Sequence, residues 1–249
     1  MVIAKAPGDV SFDNGRRYLD QEKIQSALDK ATEFGAEYAE VRLVSITDSS
    51  VSTRDGQLER AIPGQEVGAT MRILADGAWG VHSTTDISSI PLQVEGTVKL
   101  ARAVASRRGI KDKPVSLAEV PIIEDSIHWN PKKDVRNTEL SEKLEHLKVL
   151  HDNSSDDSKI ASVICGWHDE HIHTEFMSSE GMNRVWSFQR SLVNATVTAR
   201  DGSDVVSYRT RHGGEGGLEL IEACDLSELG NSAKMSAIRL LKAERSPSG

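Results

Sequence analysis

The chain has 249 residues, 38% of them hydrophobic and 4% aromatic, with a formal net charge of −8. That composition is globular rather than disordered, and the length allows one large domain or two smaller ones, each burying a core. The acidic balance excludes a long nucleic-acid duplex as a natural partner, because basic residues read only as scattered pairs such as Arg107-Arg108 and Lys132-Lys133.

The two cysteines, Cys165 and Cys224, form no CxxC pair, which argues against a disulfide framework and for a reducing, cytoplasmic compartment. The opening MVIAKAPGDVSFDNG lacks the continuous apolar run of a signal peptide, and no stretch is long and apolar enough to suggest a membrane span. Neither nucleic acid nor membrane is expected as a partner.

Residues 1–16 read as a loose lead-in. Apolar side chains then recur at helical spacing through Leu19, Ile24, Ala27, Leu28 and Ala31, and Gly35 ends the run. From Tyr38 the period changes to two. Asp55-Gly56 and Asp76-Gly77 sit between strand-like segments, as tight antiparallel hairpins require. Helical spacing returns through Ile90, Val94, Val98, Ala101 and Ala105. The first domain is therefore expected over 17–112, followed by a proline-bearing linker over 113–136.

A helix opening at Thr138 and strands at about 159–166, 168–177, 183–200 and 203–211 build the second expected domain, 137–249. Turns fall at SSEG and Asp201-Gly202, and two helices close the chain, the last capped from Asp225 with Glu228 placed for a capping box. The fold class is α+β: two mixed domains, each an antiparallel sheet with flanking helices.

The stretch GWHDEHIHTEF, residues 166–176, carries three of the eight histidines. It does not match HExxH, whose helical spacing sets two imidazoles and a glutamate around one zinc. On a strand, His168, Glu170, Ile172, Thr174 and Phe176 share one face, and Ile172 and Phe176 mark that face as inward. His171 and His173 then point outward at a spacing able to chelate zinc if a third ligand arrives. The competing explanation is a solvated pair of scaffold histidines. HGGEGG, residues 212–217, lacks the GK[ST] ending of a phosphate loop and reads as a sheet-to-helix connector. Gly213, Gly214, Gly216 and Gly217 would let a peptide substrate or partner approach the backbone closely.

Several stretches together resemble the TldD/PmbA peptidases. GAEYAEVRLVSITDSSVSTRDGQLERA (35–61) and GQEVGATMRILADGAWGVHSTTDI (64–87) resemble the first domain of that family. FMSSEGMNRVWSFQRSLVNATVTARDG (176–202) resembles its central sheet, and HGGEGGLEL with the LLKAERSPSG ending resembles the approach to a third domain. The resemblance implies a zinc metallopeptidase acting on small or unfolded peptides in an enclosed cavity. It also implies a homodimer, or a heterodimer with a related TldD/PmbA subunit.

The family's metal motif is HExxxH, and no such motif occurs in this sequence, so no catalytic or metal-ligating residue transfers to a position here. The expectation is the N-terminal and central part of a TldD-like metallopeptidase, as a truncated product, split subunit or fragment, inactive alone and binding no zinc itself. The rivals are a non-catalytic binding or assembly module pairing with a complete subunit, and an independent metal protein using His171 and His173.

Overall fold

The computed structural model describes residues 18–108, 115 and 117–243. The lead-in expected over 1–16 and the ending from Glu244 onward lie outside them. Among the described residues, seven strands form one antiparallel sheet in the order β3 (Ala78–Thr84), β2 (Gln57–Ala75), β1 (Tyr38–Arg54), β5 (Ile160–Ser178), β6 (Asn183–Asp201), β4 (Glu124–His128), with β7 (Asp204–Glu215) also paired to β6. The chain forms two compact units, one built from residues up to 43, 68–124 and 175–184, the other from 44–67, 125–174 and 185 onward. Four long strands, β1 (Tyr38–Arg54), β2 (Gln57–Ala75), β5 (Ile160–Ser178) and β6 (Asn183–Asp201), give residues to both.

In the first unit, α1 (Gln21–Glu33) starts where the Asp20 carboxylate accepts the Lys23 N–H, and it buries Ile24, Ala27, Leu28 and Ala31. Asp76-Gly77 closes the hairpin from β2 to β3 (Ala78–Thr84), with φ of 52° and 73°. Two consecutive positive φ angles define a type I′ turn, whose twist matches the flanking strands. Helix α2 (Val94–Arg108) packs on β3, and Gly80 lets it approach: a Cβ there would lie 2.2 Å from the Thr97 carbonyl oxygen. Ala39, Val41, Leu43, Met71 and Ile73 fill the core.

In the second unit, Asp55-Gly56 makes another type I′ turn, with φ of 50° and 78°. Its Asp55 side chain accepts the Val163 N–H while the Asp55 N–H donates to the Val163 carbonyl, both at 2.8 Å. At the third hairpin Asp201 pairs with Asp204, so Gly202 and Ser203 form the loop, with Gly202 at φ 60°. Positive φ at the first loop position alone marks a type II′ turn.

Strand β6 alternates Val193, Ala195, Val197 and Ala199, all fully buried, against α3 (Leu140–Ser155), α4 (Leu218–Glu222) and α5 (Leu226–Leu241). Small residues on α5 permit close packing, since a Cβ on Gly230 would meet the Leu150 carbonyl oxygen at 2.7 Å. The Asp225 cap accepts the Glu228 N–H, as the spacing predicts.

Three local features differ from the sequence expectation. Strand β4 (Glu124–His128) lies inside the stretch read as linker and pairs β6. EDSIH carries no apolar alternation, so only its main chain announces a strand. The histidine-rich strand is unbroken over Ile160–Ser178. Helix α3 begins at Leu140, because a preceding 3-10 turn over Val135–Asn137, capped by Asp134, ends at an extended Thr138 whose N–H donates to the Val135 carbonyl.

Candidate functional site

Strand β5 places GWHDEHIHTEF in the opposite phase to the one its own apolar residues suggest. Val163, Cys165, Trp167, Asp169, His173 and Glu175 are buried, while His168, Glu170, Ile172 and Phe176 are partly exposed; Thr174, on the face of the latter four, is buried as expected, and His171 is partly exposed. His173 is therefore buried rather than outward, and His171 is only partly exposed. The upstream Val-Cys-Trp alternation sets the pleat, and His173, Glu175 and Met177 continue it on the same face.

Buried charge on that face is matched. Asp169 Oδ2 accepts the Lys143 ammonium at 2.6 Å, the Ser49 hydroxyl at 2.7 Å and the Trp167 indole N–H at 2.5 Å. The side chains of Lys143 and Asp169 are 7% and 6% exposed. Lys143 also donates to Ser49 Oγ at 2.6 Å, and His146 stacks on Trp167. Glu175, 1% exposed, accepts the backbone N–H groups of Tyr18 and Leu19. A buried carboxylate so surrounded has its hydrogen-bonding needs met without a metal.

His171 neighbours a second polar group. Arg136 donates to both oxygens of Asp134, Gln189 Nε2 donates to Asp134 Oδ1 at 2.7 Å, and the Val135 N–H donates to Gln189 Oε1 at 3.0 Å. Burial would raise the Asp134 carboxyl, but the hydrogen bonds from Arg136 and Gln189 outweigh it and hold it at about 2. Burial, helped by the Arg136 charge, pushes the His171 imidazole down to about 4, so it is neutral at pH 7. His128 Nδ1 lies 2.9 Å from the Ser187 hydroxyl.

A hydrolytic zinc takes three protein ligands. Among the described residues, no group of three or more His, Cys, Asp or Glu side chains could hold a metal ion. Asp169 is engaged by Lys143, and Glu175 by main-chain N–H groups, so the residues around His171 and His173 do not fit zinc. Cys165 is equally unsuited, since burial pushes its thiol up to about 12.

The glycines of HGGEGG serve close approach within the chain itself. Gly213 and Gly214 lie in β7 (Asp204–Glu215), paired to Leu192 and Ser191. A Cβ on Gly213 would lie 2.5 Å from the Ser191 carbonyl oxygen, and one on Gly217 would lie 1.9 Å from that of Lys133. Gly216, at φ 157°, faces Leu220. The N–H groups of Lys132, Lys133 and Gly217 point at the Glu219 carboxylate, at 3.2, 2.9 and 3.2 Å. A phosphate loop would present such N–H groups to a ligand; here a side chain of the protein occupies them. Burial opposes that carboxylate's charge, and the N–H donors overcome it and hold its pKa below the usual range.

The partners Lys143, Ser49, Gln189 and Glu219 carry no motif in the sequence, and their contacts span from 2 to 120 positions along the chain. The one available signal was a lysine, Lys143, on the helix face shared with Leu147 and Leu150. Among the described residues, no helix is long and apolar enough to cross a membrane.

The architecture is a mixed α/β one, an antiparallel sheet with flanking helices, and it matches solved structures at low sequence identity. Two family models match in chain order, one described as PmbA/TldA metallopeptidase domain 1 over residues 39–106, the other as PmbA/TldA metallopeptidase central domain over 133–241. The chain belongs to the PmbA/TldD metallopeptidase family.

A metalloprotease of Methanothermobacter thermautotrophicus is 29% identical over 214 residues, covering 86% of this chain and 45% of that protein. The zinc metalloprotease TldD homolog of Saccharolobus solfataricus is 25% identical over 180 residues, covering 72% and 38%. The chain thus spans less than half the length of these relatives. A Thermotoga maritima structure aligns with a TM-score of 0.72 at 16% identity, over 92% of this chain and 50% of that one. TldE of Thermococcus kodakarensis aligns with a TM-score of 0.59 at 17% identity, over 87% and 47%.

Proposed function

We propose that this chain supplies the first and central domains of a TldD-like zinc metallopeptidase acting on small or unfolded peptides. In this reading it shapes the substrate cavity and the subunit interface, while zinc and its ligands belong to residues outside this sequence. The observation that carries it is the ordered match to the family's first and central domain models in a chain with no HExxxH. The misfit of His171 and His173 to zinc supports the same division of labour. The likeness to TldE supports a partner of the same fold, either a second copy or a related subunit.

The test is made on the purified chain, alone and mixed with a separately purified TldD-type subunit carrying HExxxH. Zinc content is read by mass spectrometry and hydrolysis is followed with an unfolded peptide. The chain alone is expected to hold no stoichiometric zinc and to cleave nothing. Chelator-sensitive cleavage by the chain alone, restored by zinc, would overturn the proposal. The gene downstream of codon 249 separates it from the assembly-module alternative. A continuation encoding HExxxH supports the peptidase part, and an immediate stop supports the module.

A further inference from the structure

The β6-β7 hairpin has two unlike faces. Val193, Ala195, Val197 and Ala199 put one face of β6 in the helix-covered core, and the antiparallel register places His212, Thr210, Tyr208 and Val206 on that same side. On the other side, Arg211 stands opposite Asn194, Arg209 opposite Thr196, Ser207 opposite Thr198, and Arg200 opposite Val205. All three arginines are exposed. Among the described residues none of the three has a carboxylate within ion-pair distance. Nearby carboxylates are engaged elsewhere: Glu170 on β5 and Glu215 at the end of β7 lie 3.2 and 3.7 Å from the Arg190 guanidinium, and Asp201 pairs with Lys159 at 2.6 Å.

Three free guanidiniums on one small sheet face stand out in a chain of net charge −8. In the sequence they lie two and nine positions apart, which is why no basic cluster shows there. The strip between them is low and polar: Thr198 and Ser207 share a 2.9 Å hydroxyl hydrogen bond. Beside Asn194, Gly166 leaves the adjoining position on β5 without a side chain.

Arg209 and Arg211 project on the same side about 7 Å apart, the repeat of alternate residues along an extended chain. Carboxylates at alternate positions of an extended peptide have the same spacing and the opposite charge, and guanidinium forks bind carboxylates through paired, charge-assisted hydrogen bonds.

We propose that the face bearing Arg200, Arg209 and Arg211 binds an acidic segment of an extended peptide. The inference rests on the reading of the chain as part of a peptide-handling enzyme and names the substrate class that reading leaves open. Its test contains no hydrolysis, so the binding site and the peptidase function fail separately.

Fluorescence anisotropy is measured on the full chain with a fluorescein-labelled octapeptide carrying glutamate at alternate positions. The control is the same peptide with glutamine at those positions. The glutamate peptide is expected to bind about tenfold or more tightly at low salt, with the difference shrinking as salt is added. In an R209Q/R211Q variant with an unchanged thermal melt, the two peptides are expected to bind alike. Equal binding of both peptides to the unaltered chain, no binding of either, or discrimination surviving in the variant overturns the proposal. So does preferential displacement of the peptide by a single-stranded oligonucleotide, which would assign the face to nucleic acid instead.

Discussion

Asp169 shows how a single buried charge governs its surroundings. Its Oδ2 atom collects the Lys143, Ser49 and Trp167 donors within 2.5–2.7 Å. Removing the ammonium leaves an uncompensated carboxylate in the core, so Lys143→Met is expected to cost about 3–5 kcal/mol in urea unfolding at pH 7. Replacing both charges, as Lys143→Met with Asp169→Leu, should recover much of that loss. A single variant as stable as the unaltered chain would show that the pair is not buried in solution.

His171 gives a second test at the same scale. Its folded pKa, about 4, lies below the ordinary value of 6.5, so the unfolded chain takes up the proton first as pH falls. Stability from this group is fully present above about 6.5 and declines as pH drops toward about 4. Asp134 opposes the shift, while His173 and His128 add to the effect of Arg136. The ring is only partly buried, so the loss is on the order of 1–2 kcal/mol once solvent screening is allowed for. His171→Asn should flatten the unfolding free energy across that window, measured by urea titration at several pH values. An unaltered slope would count against burial as the cause.

Secondary elements were legible where a local pattern carries them. The helices over Gln21–Glu33 and Leu226–Leu241 announce themselves by apolar spacing, the second also by its Asp225 cap, and the hairpins by their Asp-Gly pairs, whose φ angles are positive. Strand β4 was not legible, because its hydrogen bonds to β6 are main-chain and its side chains are mostly exposed. The phase of β5 was misjudged from Ile172 and Phe176. That reading also puts Asp169 and Glu175, which alternate with Ile172 and Phe176, on the outward face, because their buried partners, Lys143 and the Tyr18 and Leu19 N–H groups, lie far away in sequence. Glycines test packing at this scale with opposite signs. Gly230→Ala forces a Cβ to within 2.7 Å of the Leu150 carbonyl and should cost about 1–3 kcal/mol. Gly96→Ala, in α2 with nothing within 4 Å, should stabilise by up to about 1 kcal/mol. Thermal melts that move the same way for both variants would contradict these packing contacts.

At the scale of the whole molecule, the question is what apolar surface the second unit leaves uncovered. Pairing of β2 with β3 starts at Ala69, so among the described residues the earlier part of β2 has no strand on that side, and Leu58 and Ile62 are exposed along it. Trp129, 71% exposed, follows β4 and is held in place by its N–H bond to the Ser187 carbonyl. Pro63 partly blunts the β2 edge, since it offers no N–H for pairing. Burying an exposed tryptophan is worth roughly 2 kcal/mol, enough to favour association at high protein concentration without fixing a tight dimer. Sedimentation velocity over a dilution series should therefore show a concentration-dependent shift to larger species. Trp129→Ser with Leu58→Ser should reduce that shift at unchanged fold. A chain that stays monomeric at every concentration would mean these side chains do not drive self-association, and the subunit interface of the proposed peptidase would have to be sought on another surface.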